Sequence, residues 1–257
     1  MVKNTDSKKF SKTVIVLSVV LILLVSALLV IVFYPKIDHY RILHQRYELY
    51  GGMTDDLKDS ELYKDLQSGK PICFLGDSIT FGATTNGVPW YQPMVPYIKG
   101  EIFNYSASGW QVKDLINSID NIPVADIYII AIGINDILFI DKPTASVTAD
   151  DFVRNIDNLA TLIKNKSNGA KIYFISPWPF VNLSEDYSVR GNEYRKAMND
   201  YCDNTDCIYI DADPIIVSIL NIEGAEKYMY NKYHPNSPNG IGLFSYAVLK
   251  ASSLQTR

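Results

Sequence analysis

Four short segments of this 257-residue chain carry side chains that together suit acyl transfer. The apolar run Ile72-Cys73-Phe74-Leu75 ends in Gly76-Asp77-Ser78-Ile79-Thr80, placing a serine hydroxyl just past a predicted strand. Ser106-Ala107-Ser108-Gly109-Trp110 follows a second apolar run, and Gly133-Ile134-Asn135-Asp136 follows a third. Near the carboxyl terminus, Asn231-Lys232-Tyr233-His234-Pro235 supplies an imidazole; the other two histidines, His39 and His44, lie far upstream. A serine hydroxyl is a weak nucleophile until a histidine takes its proton. The tetrahedral intermediate then needs donors fixed in advance around its oxyanion. The backbone N–H groups of Ser78 and Gly109 and the side-chain amide of Asn135 are candidates, and glycine lets the backbone come close. Singly, each residue has an ordinary reading: a turn, a helix start, a surface histidine. Their order on successive strand ends favours chemistry, because open α/β sheets bind ligands at the carboxyl ends of their strands.

The elements that must position these residues are legible. Buried parallel strands are predicted at Ile72–Leu75, Ile102–Tyr105, Ile127–Ile132, Ile172–Ile175 and Ile208–Ile210. Amphipathic helices are predicted between and after them. Gln111–Ile119 places Val112, Leu115, Ile116 and Ile119 on one face. Asp150–Lys164 aligns Phe152, Ile156, Leu159 and Ile163, with Thr148 and Asp151 resembling a capping box. Tyr187–Cys202 and Ile241–Leu254 are further helices. Five strands alternating with helices imply a doubly wound parallel sheet with right-handed crossovers.

The amino-terminal region reads differently. Val14 to Phe33 is apolar except for Ser18 and Ser26, long enough as a helix for the roughly 30 Å of a bilayer core. Lys3, Lys8, Lys9 and Lys12 precede it, so the expectation is a cytoplasmic amino terminus with the following domain outside the cytoplasm. A cleaved signal peptide fits less well, because the apolar run continues past Ser26-Ala27. The expected organisation is a cytoplasmic tail over residues 1–12, a transmembrane helix over 13–34, a stalk over 35–69 and a domain over 70–257. Within the stalk, helical spacing is plausible over Tyr40–Leu49 and Asp56–Leu66. A net charge of −4 gives no reason to expect a nucleic-acid partner. Cys73 reads as a small buried hydrophobe, and Cys202 and Cys207 as either a small disulfide or two free thiols. No Cys/His spacing suggests a zinc site.

The four blocks resemble the SGNH (GDSL-type) hydrolases over about residues 70–255. Gly76-Asp77-Ser78-Ile79-Thr80 is similar to that family's first block, Gly109 to its second, Gly133-Ile134-Asn135-Asp136 to its third and His234-Pro235 to its last. The resemblance implies a three-layer α/β/α sandwich and a serine esterase or acyltransferase without metal or organic cofactor. It implies Ser78 as nucleophile, His234 as base, and Ser78, Gly109 and Asn135 as the oxyanion hole. One position departs: the family's last block reads Asp-x-x-His, and Asn231 stands three before His234. Three readings follow: a Ser–His dyad oriented by Asn231 or a backbone carbonyl, a substitute carboxylate from Asp211 or Asp213, or a glycan-binding module. Trp90, Trp110 and Trp178 fall in predicted loops at the active end and are candidate sugar-stacking residues, with loop packing the alternative. An outward-facing, tethered enzyme would meet acylated cell-envelope glycan, and a lipase or lysophospholipase acting on lipid is the alternative.

Overall fold

The computed structural model describes residues 14–28, 47–142, 144–146 and 148–255. It divides into two units, residues 1–46 and 47–257. In the first, residues 14–28 form helix α1, exposed throughout. Among the described residues no helix is long and apolar enough to cross a membrane. The expected tail (1–12), residues 13 and 29–34 of the expected membrane helix, and residues 35–46 of the expected stalk lie outside the described residues.

The second unit is built on five parallel strands: β1 (Ile72–Gly76), β2 (Ile102–Ser106), β3 (Ile127–Ala131), β4 (Lys171–Ile175) and β5 (Ile208–Ile210). Their order is β2-β1-β3-β4-β5, so the chain winds outward from β1 in both directions. Strand periodicity sends alternate side chains to opposite faces. Ile72, Phe74, Ile129, Tyr173, Ile175 and Ile210 join one core, while Cys73, Leu75, Tyr128, Ile130, Phe174 and Tyr209 join the other. The second core is covered by α5 (Val112–Asn117), α7 (Ala149–Lys166) and α8 (Glu185–Asp203). The Thr148 hydroxyl caps α7 by accepting from the Asp151 N–H at 3.1 Å. Two short helices, α4 (Ser78–Phe81) and α6 (Ile134–Leu138), open directly from the ends of β1 and β3. The three-layer α/β/α sandwich implied by the sequence is present.

The first core corrects the expected stalk. Helices α2 (Asp55–Lys58) and α3 (Glu61–Leu66) lie within residues 47–69, and Leu57, Leu62 and Leu66 are fully buried. The reason is α10 (Asn239–Gln255), whose buried residues run right round the helix, from Ile241 and Phe244 to Leu249 and Ser252. A helix apolar all round needs cover on every side. The sheet covers part of it, and α9 (Asp213–Glu223), the 3-10 turn Gln92–Tyr97, α2 and α3 cover other sides. The Tyr50 N–H donates to the Gly242 carbonyl at 3.1 Å, and the Leu62 N–H to the Ser252 hydroxyl at 3.3 Å. Burying each of those leucines contributes roughly 1.5–3 kcal/mol. Helix α9 was not anticipated, although Asp213-Pro214 is a fitting helix start.

Candidate active site

Strand β1 ends in a turn that only glycine fits. A Cβ on Gly76 would lie 2.2 Å from Thr80 Oγ1 and 2.5 Å from the Ala131 carbonyl. Asp77 then leaves the strand and caps α4, its carboxylate accepting from the Ile79 N–H at 2.9 Å. Ser78 is therefore the first residue of α4 and is 7% exposed. Register fixes what lies beside it: Gly76 pairs with Ser106 of β2 and with Ala131 of β3. Gly109 and Asn135 thus follow the two strands that flank the serine's own.

Gly109 adopts φ +77°, a left-handed conformation open to glycine at little cost. Its carbonyl accepts from Lys142 Nζ at 3.0 Å, which anchors the turn. Asn135 is buried, and its Nδ2 donates to the Trp110 carbonyl at 2.9 Å, tying the β3 end to the Gly109 turn. Gln111, also buried, donates from Nε2 to the carbonyls of Asn135 (2.9 Å) and Phe139 (3.1 Å). Asp136 closes the network: Oδ1 accepts from the Ser146 hydroxyl at 2.8 Å and Oδ2 from the Val112 N–H at 3.3 Å. The three donors named from sequence are thus carried on adjoining strand ends, and the Asn135 amide is tied to Trp110, the residue after Gly109.

His234 arrives from the other side of the chain. Met229 and Pro235 form an antiparallel bridge, and the Tyr230 N–H donates to the His234 carbonyl at 2.9 Å, so the imidazole is presented on a tight reversal. Its Nε2 lies 2.8 Å from Ser78 Oγ across 156 residues of sequence. Its Nδ1 faces Asn231, with Oδ1 at 3.2 Å and Nδ2 at 3.1 Å. The same Oδ1 accepts from the backbone N–H groups of His234 at 2.8 Å and Tyr233 at 3.1 Å. Those two donors fix the amide with its oxygen toward the loop. Burial pushes the His234 pKa below 6.5, which keeps the ring neutral and able to accept a proton near pH 7.

Other predicted residues are not brought to this centre. Asp213 pairs with Arg195 of α8 at 3.4 Å, and Asp211 lines a cavity with both of them; the hydrogen-bond partners of the His234 ring are Ser78 and Asn231. Trp90 and Trp178 are core residues, 0% and 1% exposed, with ring centroids 5.2 Å apart. Trp90 Nε1 donates to Thr80 Oγ1 at 3.2 Å, so it braces α4 from beneath and corrects the sugar-stacking reading. Trp178 packs on Phe244 at 4.9 Å. Trp110 alone of the three is half-buried, tilted against Tyr105 at 5.4 Å. Cys73, Cys202 and Cys207 are buried free thiols. Among the described residues no group of three or more His, Cys, Asp or Glu is placed to hold a metal. Sequence reasoning did not single out Gln111, Asp136 or Lys142. Gln111 and Asp114 form a capping box at the start of α5, a signal available in the spacing.

Comparison with known proteins agrees with this architecture. A family model described as the GDSL-like lipase/acylhydrolase family matches residues 74–238. No curated protein matches the chain. Among solved structures, a Parabacteroides merdae protein provisionally described as a GDSL-like lipase has 19% identity and a TM-score of 0.64, covering 74% of this chain and 98% of its own. A catalytic mutant of an acetylxylan esterase from Geobacillus stearothermophilus has 20% identity and a TM-score of 0.58, covering 72% and 94%. A member of the lipolytic G-D-S-L family from Veillonella parvula has 19% identity and a TM-score of 0.59, covering 70% and 96%.

Proposed function

The chain belongs to the GDSL-like lipase/acylhydrolase family and is a serine ester hydrolase, and we propose that it removes or transfers O-acetyl groups on cell-envelope glycan. The contact that carries the mechanism is Ser78 Oγ to His234 Nε2, at 2.8 Å. His234 takes the hydroxyl proton as Oγ attacks the ester carbonyl. The N–H groups of Ser78 and Gly109 and the Asn135 amide hold the developing oxyanion. The imidazolium returns its proton to the leaving alcohol, giving an acyl-Ser78 intermediate. Water, or an acceptor hydroxyl, then attacks under the same base and releases Ser78.

For Nε2 to accept that proton, Nδ1 must carry the other one. Its acceptor is Asn231 Oδ1, a neutral oxygen shared with two backbone donors. We therefore read the site as a Ser–His dyad with an amide orienter. The acetyl preference is supported by likeness of fold to the acetylxylan esterase and by the half-buried Trp110 beside Gly109. The apolar segment over residues 14–33 supports a tether with the domain outside the cytoplasm. Rates on p-nitrophenyl acetate and octanoate test the reading. Acetate should be preferred, and Ser78→Ala should bring the rate to background; preference for octanoate would support a lipase instead. Wild-type rates equal to the Ser78→Ala background would leave a binding module.

A further inference from the structure

Gly109 is the one oxyanion donor whose direction its own residue type leaves open, because glycine takes positive and negative φ about equally. The Trp110 N–H donates to the Ala107 carbonyl at 3.3 Å, so Ala107–Trp110 is a tight turn with Gly109, at φ +77°, in its third position. Positive φ at that position marks a type II turn, whose central peptide is turned over relative to type I. The sign of this angle therefore decides from which side of the turn the Gly109 N–H points. Something outside residues 107–110 has to hold it.

Two side chains grip the turn. Asn135 Nδ2 donates to the Trp110 carbonyl at 2.9 Å, but that amide is itself one of the three donors. The other grip is Lys142, whose Nζ donates to the Gly109 carbonyl at 3.0 Å. A Cβ on Gly109 would meet the same Nζ at 3.2 Å, so the ammonium packs against Gly109 itself.

An exposed lysine ordinarily gives up too much rotamer entropy for one hydrogen bond to fix it. Here the backbone that carries it is already held. The Lys142 N–H donates to the Phe139 carbonyl at 3.2 Å, and the Lys142 carbonyl accepts from the Ala145 N–H at 2.9 Å. Farther along the same loop, the Thr144 hydroxyl donates to Gln111 Oε1 at 2.5 Å and the Ser146 hydroxyl to Asp136 Oδ1 at 2.8 Å. The ammonium also lies 5.2 Å from the centre of the Phe139 ring, a cation–π contact. It forms no ion pair among the described residues, so no carboxylate draws it away from the Gly109 carbonyl.

We infer that Lys142 is a positioning residue of the esterase reaction: it holds the Ala107–Trp110 turn in the conformation that presents the Gly109 N–H to the oxyanion. The use of that N–H rests on the esterase reading given above. Deleting one oxyanion donor outright costs about 10²–10³ in kcat, so releasing the turn should cost less and still be measurable.

Two variants of the full-length protein test this: Lys142→Met keeps the apolar stem and loses the donor, and Lys142→Arg keeps a donor. On p-nitrophenyl acetate, Lys142→Met should lower kcat at least about tenfold with KM within about twofold, and Lys142→Arg should stay within about threefold of wild type. A second measurement needs no turnover. Nitrogen-15 labelling of the three tryptophans reports the backbone amides of Trp90, Trp110 and Trp178. Hydrogen exchange at Trp110 should quicken at least about threefold in Lys142→Met, with the two core tryptophans unchanged as evidence that the fold is intact. An unchanged kcat, a change confined to KM, or unchanged exchange at Trp110 would overturn the inference. If wild-type hydrolysis does not exceed the Ser78→Ala background while Trp110 exchange still quickens, the esterase reading fails and the hold of Lys142 on the turn stands.

Discussion

Asn231 stands where a triad would place its carboxylate, with Oδ1 3.2 Å from His234 Nδ1 and 2.8 Å from the His234 backbone N–H. The amide holds the imidazole but brings no negative charge to the imidazolium that forms during attack. Its Nδ2, 3.1 Å from Nδ1, can also donate to the ring and so stabilise the tautomer that cannot act as base.

Asn231→Asp removes that competing donor and adds charge. The expected gain in kcat/KM on p-nitrophenyl acetate is at least about tenfold, against the roughly 10⁴ lost when a protease aspartate becomes asparagine. In the wild type, burial holds the His234 pKa below 6.5, so activity should persist into mildly acidic pH. A carboxylate favours the charged ring, so the acidic limb of the pH profile should move to higher pH in the variant. An unchanged rate and profile would mean that Asn231 does not orient His234.

Gln111 holds the carbonyls of Asn135 and Phe139 from a fully buried position. Gln111→Ala leaves both without that donor, for a loss of about 1–3 kcal/mol. The Tm should fall by several degrees, and kcat should fall more than KM rises, because the disturbed residue serves the oxyanion and not ground-state binding. Thermal melts and steady-state kinetics check this together.

Residues 47–69 are part of the folded domain, so Leu62→Ala should destabilise it by about 2–5 kcal/mol despite lying before the first strand. Urea denaturation measures the loss. A loss under about 0.5 kcal/mol would restore the view of this segment as a stalk.

Burial raises the pKa of both Asp77 and Asp136 to about 7, from 3.8 for an exposed aspartate. The folded state therefore holds protons that the unfolded chain has released between about pH 4 and 7. Stability should be greatest near the acidic end of that window and decline as pH rises through it. Asp77→Asn should flatten the decline, read as the urea midpoint at pH 5 and pH 8.

The strands and the first three site blocks were legible because buried parallel strands are continuous apolar runs and each of those blocks follows one of them; the His234 block instead precedes the last helix. Ser78, Gly109, Asn135 and His234 needed only order along the chain to be picked out. What escaped depends on packing in three dimensions. Nothing local in Asp56–Leu66 says that it covers α10; that follows only once the helix is seen to be apolar on every side. Trp90 and Trp178 flank the active end in sequence, yet their rings turn inward onto each other and onto Phe244. Asp211 and Asp213 follow a strand end as a substitute acid would, but β5 is the sheet edge, where Arg195 meets Asp213 and α8 walls their cavity.

Ser78, activated by His234, is the residue expected to become acylated. The most direct measurement is mass spectrometry of the full-length protein after treatment with a small fluorophosphonate, followed by peptide mapping. One adduct per chain is expected, on the peptide bearing Ser78, at a rate at least about 10²-fold slower in His234→Ala. An adduct on another residue, or labelling of Ser78 at the same rate without His234, would contradict it.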